Sequence, residues 1–149
     1  MESFSTVRIV VATALLSPEG KVLMQQRPAD KQHGGLWEFP GGKVEPGETL
    51  ESAVVREIDE ELGVRVDPAM LFPLSFATEP PRAGHRPILL VLFGLREWAG
   101  EAQALESGTT VRWVTESELA NLPMPPLDVP LARAVIPFLE GVAKGNGPS

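Results

Sequence analysis

The sequence predicts one α/β domain of the α+β kind. Three features carry that prediction. Runs with strand composition, rich in Val, Ile and Leu, lie on both sides of a stretch at 49–62 that has no Gly or Pro and has apolar residues at every fourth position. The 149 residues show no shift in composition that would mark a second domain over 1–149. A chain of that length buries about two-thirds of the surface its unfolded form exposes, so the fold can rest on its core.

Residues 6–16 read as a strand, Ser17-Pro18-Glu19-Gly20 as a turn, and 21–26 as a second strand paired with the first at hairpin spacing. Residues 28–35 form a polar loop and 36–39 a short apolar and aromatic piece. Pro40-Gly41-Gly42 and Pro46-Gly47 then break the chain into a long loop. Leu50, Val54, Ile58 and Leu62 define one face of a helix, which Gly63 ends as a C-terminal cap. Residues 64–77 and 87–98 have strand composition, and loop 79–86 between them contains Pro80-Pro81 and Gly84. A short strand follows at 111–114. Thr115 and Glu118 have capping-box spacing for a brief helix through about Asn121. Residues 123–126 are a rigid linker, and Asp128 caps a last helix over 129–142, bent near Pro137. Residues 144–149 are expected to be a disordered tail.

Hydrophobic residues at 43% and charged residues at 22% describe a folded globular chain. The absence of cysteine excludes disulfides, thiolate metal sites and cysteine nucleophiles, and His33 and His85 alone weigh against a histidine-rich zinc site. Thirteen Lys+Arg against twenty Asp+Glu leave a net charge of −7, which opposes a broad footprint on nucleic acid or anionic lipid. The longest apolar stretches, 9–16 and 88–95, fall short of a bilayer span by about ten residues. The expectation is a cytoplasmic protein with neither a polynucleotide nor a membrane as partner.

At about 100° per residue, Glu57, Glu60 and Glu61 share one arc of the helix beside its apolar face. Ala53 lies in the middle of that arc, one turn before Glu57, and its small side chain leaves room for an ion. Like charges at such spacings destabilise a bare helix by a few tenths of a kcal/mol per pair, so a cation belongs there. Hard divalent ions such as Mg²⁺ or Mn²⁺ suit an acidic face without His or Cys. A charged helix face is most often simply solvated, but the upstream residues argue otherwise. Gly41-Gly42 lets the backbone approach a ligand closely, and Glu45 and Glu48 add acids just before the helix.

Gly42, five residues, Glu48, seven residues and Arg56-Glu57-Ile58-Asp59-Glu60-Glu61-Leu62-Gly63-Val64 resemble, position for position over 23 residues, the Nudix box. Gln26-Arg27-Pro28 and the run from Leu36-Trp37-Glu38-Phe39-Pro40 through Glu48 are similar to the MutT-type branch, the nucleoside triphosphate pyrophosphohydrolases. Pro125-Pro126-Leu127-Asp128-Val129-Pro130 resembles the base-recognition segment of that branch, and more closely that of its CTP-preferring members. The resemblance implies the Nudix fold, a mixed, mainly antiparallel sheet sandwiched between helices, with the box as loop, helix and loop.

The resemblance also implies roles. Glu60 and Glu61 ligate a catalytic Mg²⁺, for which Mn²⁺ can substitute. Glu57 is a ligand or the general base, and the Gly41 carbonyl adds a further oxygen. Arg56 pairs with Glu48 or Glu60 and orients the cluster. One further Glu ligand comes from a loop before the last strand, with Glu106 the best placed and Glu101 the runner-up. Arg27 and Arg86 are candidates for the phosphates, or are merely solvated. Gly42, Lys43 and Glu48 of the box loop join them as substrate-binding candidates. Phe39 stacks on a base or packs in the core. Trp37 and Trp98 read as core or rim. Asp128 caps the last helix or hydrogen-bonds the base edge, and an Asp there, where 8-oxoguanine specialists commonly have Asn, accepts from an exocyclic amine such as cytosine N4. The implied reaction is hydrolysis of a (deoxy)nucleoside triphosphate to monophosphate and pyrophosphate, on an 8-oxo-dGTP or CTP/dCTP-type substrate, by a monomer or homodimer. The alternatives are hydrolysis of ADP-ribose or another nucleoside diphosphate linked to a moiety X, suggested by Pro80-Pro81, and a nucleotide sensor that does not hydrolyse, against which the intact Glu57, Glu60 and Glu61 argue.

Overall fold

The computed structural model describes residues 6–80, 82 and 84–145, with side chains to Glu140. The elements run β1 (Arg8–Leu15), β2 (Val22–Gln26), β3 (Trp37–Glu38), β4 (Gly41–Lys43), α1 (Leu50–Leu62), a single 3-10 turn (Pro68–Met70), β5 (Phe72–Thr78), β6 (Ile88–Leu95), β7 (Thr110–Val114), α2 (Glu116–Asn121) and α3 (Asp128–Gly145). They build one sheet of order β4-β1-β6-β5 and another of order β3-β2-β7. Among the described residues only β1 and β6 run parallel; every other pair of named strands is antiparallel. The expected mixed, mainly antiparallel architecture between helices is therefore observed, divided into two sheets.

β1 shows why its sequence lacks alternation. Val11 and Leu15 pack toward α1 with Val54, Ile58 and Leu62, while Ala12, Ala14 and Leu16 pack toward α3 with Leu131, Val135 and Leu139. A strand covered on both faces is apolar throughout.

Several expectations need correction. The first two strands touch as a hairpin only at the Leu16–Val22 bridge and the Ser17–Lys21 turn. They then part into different sheets, because β1 takes β6 along its whole length and β2 takes β7. The expected short apolar and aromatic piece 36–39 holds β3, and the segment expected to be broken by Pro40-Gly41-Gly42 holds β4. Gly41 can lie against β1 because it has no Cβ, which would collide with the Val11 carbonyl oxygen. Only Phe72–Thr78 of the expected strand 64–77 pairs as a strand. Before it, Asp67 accepts from the Ala69 N–H at 3.0 Å and starts the turn at Pro68, which has no N–H to give a ladder. The last helix passes through Pro137 and reaches Gly145, so Lys144 and Gly145 belong to it; residues 146–149 of the expected tail lie outside the described residues.

Candidate active site

Helix α1 is positioned from both ends. Thr49 Oγ1 accepts the Ser52 N–H at 3.0 Å, and Gly63 closes the helix at φ 71°, a left-handed conformation suited to glycine. The last turn leaves carbonyls without helical partners, and the loop before β7 supplies them: Gln103 N–H donates to Leu62 O and Leu105 N–H to Glu61 O, both at 3.0 Å. Leu105 lies over Gly63. That docking carries Glu106 to the acidic end of α1.

Arg56 is the hub of the box. Its Nε and Nη2 grip Glu48 in a fork at 2.8 and 2.9 Å, its Nη1 donates to Glu57 at 2.7 Å, and its Nη2 donates to the Lys43 carbonyl at 3.0 Å. Glu60 lies 3.5 Å and Glu45 3.9 Å from Nη1. Both expected partners, Glu48 and Glu60, are therefore present, with Glu48 held bidentately. The fork holds the Glu48 carboxyl down near a pKa of about 2.

The helix acids divide by burial. Glu61 is 7% exposed and accepts the Gly41 N–H at 3.1 Å. Burial pushes its carboxyl up to about 9, with Glu57, Glu106 and Glu38 adding repulsion. Burial also raises Glu57, against the pull of Arg56. Glu60 stands at the rim, its side chain 59% exposed. Ala53 differs from expectation: it is fully buried in the core with Val54 and Ile58, so the acidic and apolar arcs overlap rather than leaving a gap beside Ala53. Gly42 is required where it stands, since a Cβ there would enter the Glu57 carboxylate. Of the two loop candidates, Glu106 is among the charges felt by Glu38, Glu57 and Glu61, and Glu101 is not.

Across the sheet, Arg27 Nη1 meets Glu38 Oε2 at 3.3 Å. Glu38 was not among the candidates, yet burial raises it to about 7, Arg27 pulls it back, and Asp128 and Glu106 raise it further. The available signal was an acid set between Trp37 and Phe39 in an otherwise apolar piece. Asp128 is buried, and its Oδ2 accepts the Phe39 N–H at 3.1 Å. Its carboxylate thus ties α3 to the residue after β3, and the capping role is corrected accordingly. Burial lifts it to about 6. Of the two readings of Phe39, core packing holds and base stacking is corrected: at 3% exposed its ring is part of the core and offers no free face to a base. Lys43 is exposed at the end of β4. Arg86 is exposed between β5 and β6, and no contact with the carboxylates is found for it among the described residues. Trp98 and Trp113 stack at 5.9 Å against the core, and Arg112 lies over Trp37 at 6.0 Å. Beside Asp128, residues 76–80 face Pro126, Leu127 and Pro130 across an open hollow of about 420 Å³.

An acidic helix end, the glycines of β4 and an arginine fork define a carboxylate-centred site. A family model described as the NUDIX domain matches residues 6–137. The CTP pyrophosphohydrolase of Escherichia coli (strain K12) is 37% identical over 126 residues, 85% of this chain and 90% of that protein. The 8-oxo-dGTP diphosphatase of the same strain is 32% identical over 125 residues, 83% and 93% of the two chains. Among solved structures, the solution structure of the E. coli ORF135 protein superposes with a TM-score of 0.76 at 33% identity, covering 96% of both chains. A MutT structure from work on Aliivibrio salmonicida and Vibrio cholerae gives 0.67 at 27% identity, covering 94% and 99%. The chain belongs to the Nudix family and is a Nudix hydrolase of MutT-like structure. Hydrolases of this family generally use divalent metals. No helix among the described residues is long and apolar enough to cross a membrane.

Proposed function

We propose that this single domain is an Mg²⁺-dependent pyrophosphohydrolase that converts a (deoxy)nucleoside triphosphate to the monophosphate and pyrophosphate, keeping the cytoplasmic nucleotide pool clean. One observation carries the reading. Glu61, buried and bonded to the Gly41 N–H, stands among Glu57, Glu106 and Glu38, a concentration of hard acidic oxygens that only a multivalent cation would neutralise in its ionised form. Among the described residues no three His, Asp or Glu side chains converge tightly enough to enclose an ion, so binding one requires these side chains to draw together.

The donor set is chemically suited to Mg²⁺. Glu57, Glu60, Glu61 and Glu106, with the Gly41 carbonyl, would hold it. When bound, the ion neutralises non-bridging phosphate oxygens and lowers the pKa of water. Arg56 keeps one Glu57 oxygen fixed, leaving the other to ligate or to take the proton from the attacking water. Arg27, Arg86, Lys43 and Gly42 contact the phosphates, and Glu48 holds Arg56 in place. No covalent nucleophile is needed.

Asp128 favours a base that presents an amine. Its Oδ2 is taken by the Phe39 N–H, and its Oδ1 remains as an acceptor for a group such as cytosine N4. The 37% identity to a CTP pyrophosphohydrolase points the same way. The test is product analysis with Mg²⁺ on CTP, dCTP, 5-methyl-dCTP, 8-oxo-dGTP, a dATP analogue and ADP-ribose. Monophosphate and pyrophosphate from the cytidine nucleotides are expected. Turnover of ADP-ribose alone would overturn the proposal.

A further inference from the structure

Two buried side-chain atoms among the described residues have no hydrogen-bond partner, Oγ1 of Thr13 and Nε2 of Gln25. Thr13 is fully buried and Gln25 is 3% exposed. Their positions are related. Gln25 lies opposite Glu38 in the β2–β3 ladder and opposite Val111 in the β2–β7 ladder. Directly opposed residues send their side chains to the same face of a sheet. That face carries Leu23, Val111 and Trp113, which pack in one core with α1. Counting back from the Leu16–Val22 bridge, Thr13 and Gln25 hold matching positions on β1 and β2, where the two strands have parted. Val11 and Leu15, two residues to either side of Thr13 and so on its face, belong to the same α1 core. The Thr13 N–H bonds the Pro40 carbonyl at 2.9 Å, beside the Gly41 N–H that holds Glu61.

Thr13 and Gln25 therefore both lie on the α1-facing side of their strands, the side to which Glu38, opposite Gln25, also belongs and from which Glu61 reaches the Gly41 N–H. A buried amide without an acceptor forfeits the hydrogen bonds it had in water, a loss that Leu or Met would avoid in a strand whose other buried residues are Val22, Leu23 and Met24. Carboxylates have lone pairs to spare: Glu61 accepts one backbone N–H and Glu38 one long bond from Arg27.

We propose that Gln25, seconded by Thr13, is a positioning residue of the carboxylate centre, with the Gln25 amide donating to Glu38, the acid behind the ion-holding set, and the Thr13 hydroxyl to Glu61 when that set is drawn in around a divalent ion. The inference rests on the proposed function and adds to it an inner wall that fixes the acids from behind. Gln25→Met and Thr13→Val remove the donors while keeping close to the native volumes.

Three measurements test it: the affinity for Mn²⁺ alone by calorimetry, kcat and KM for CTP at saturating Mg²⁺, and thermal unfolding in EDTA. Gln25→Met should weaken Mn²⁺ binding by roughly 10- to 100-fold and lower kcat with KM unchanged, with Thr13→Val acting in the same direction but less. In EDTA both variants should melt at or above the wild-type temperature. Wild-type Mn²⁺ affinity in both variants would overturn the inference, as would loss of stability in EDTA, which would make the two groups structural. A wild-type chain that neither binds Mn²⁺ nor hydrolyses CTP would overturn the proposed function itself, and the inference with it.

Discussion

Asp128 places two demands on one carboxylate, a bond to the Phe39 N–H and, as proposed, recognition of the base. Asn would offer one acceptor and one donor, so Asp128→Asn should lower kcat/KM for bases that present an amine and lower it less for those that present a carbonyl. The penalty of an unpaired buried group, about 1–3 kcal/mol, corresponds to roughly 5- to 150-fold. Unchanged kcat/KM ratios across the nucleotide panel would confine Asp128 to its structural bond. Burial lifts its carboxyl to about 6, so above that pH it accepts and below it the neutral acid can donate. The preference for amine-bearing bases should weaken as pH falls through about 6 in the wild type and stay flat in Asp128→Asn. Glu57→Gln should lower kcat by on the order of 10²-fold or more with the fold retained by circular dichroism, and Glu106→Gln should do less.

At the scale of elements, the chemistry depends on α1 being clamped between β4 and the loop before β7. Gly42 gives way to the Glu57 carboxylate on one side, and the loop carrying Glu106 is bonded to the last carbonyls of α1 on the other. Gly42→Ala pushes a methyl group into that carboxylate, and since a displacement of about 1 Å can cost 10²-fold, kcat should fall by roughly that factor while urea unfolding changes little. α1 and α2 were legible because their signals are local: Thr49 and Gly63 bracket one helix, and Thr115 and Glu118 make a capping box for the other. The first two strands were legible as strands but not in their pairing, because Ile88–Leu95 and Thr110–Val114, which claim them, lie far along the chain. The docking of Leu105 on the Glu61 carbonyl has no local signature either.

For the whole molecule, buried acids set the pH dependence of stability. Glu61 and Glu38, raised to about 9 and about 7, keep protons in the folded chain that the unfolded chain gives up near the ordinary glutamate value of 4.5. The unfolded state therefore binds fewer protons through that range, and stability in EDTA should fall as pH rises from about 4.5 to about 9. Glu48 has the opposite sign: its contribution is present above 4.5 and is lost as pH falls through about 2. Urea titrations at pH 5, 7 and 9 should show a shallower decline for Glu61→Gln, and an equal decline would mean that Glu61 is ionised without a cation. The acids were legible as a set in the box spacing, but their division was not. Glu61 turns inward, where the Gly41 N–H of β4 meets it, and Glu60 turns outward, while Glu38 joins them from β3, in a stretch whose sequence reads only as a short apolar and aromatic piece.

³¹P NMR of CTP incubated with the chain in Mg²⁺ and then in excess EDTA shows whether this carboxylate centre, as proposed, uses a divalent ion to split a nucleoside triphosphate between its α and β phosphates. CMP and pyrophosphate are expected with Mg²⁺, none in EDTA, and recovery when Mg²⁺ is restored. CDP and orthophosphate as products, or undiminished turnover in EDTA, would contradict the proposal.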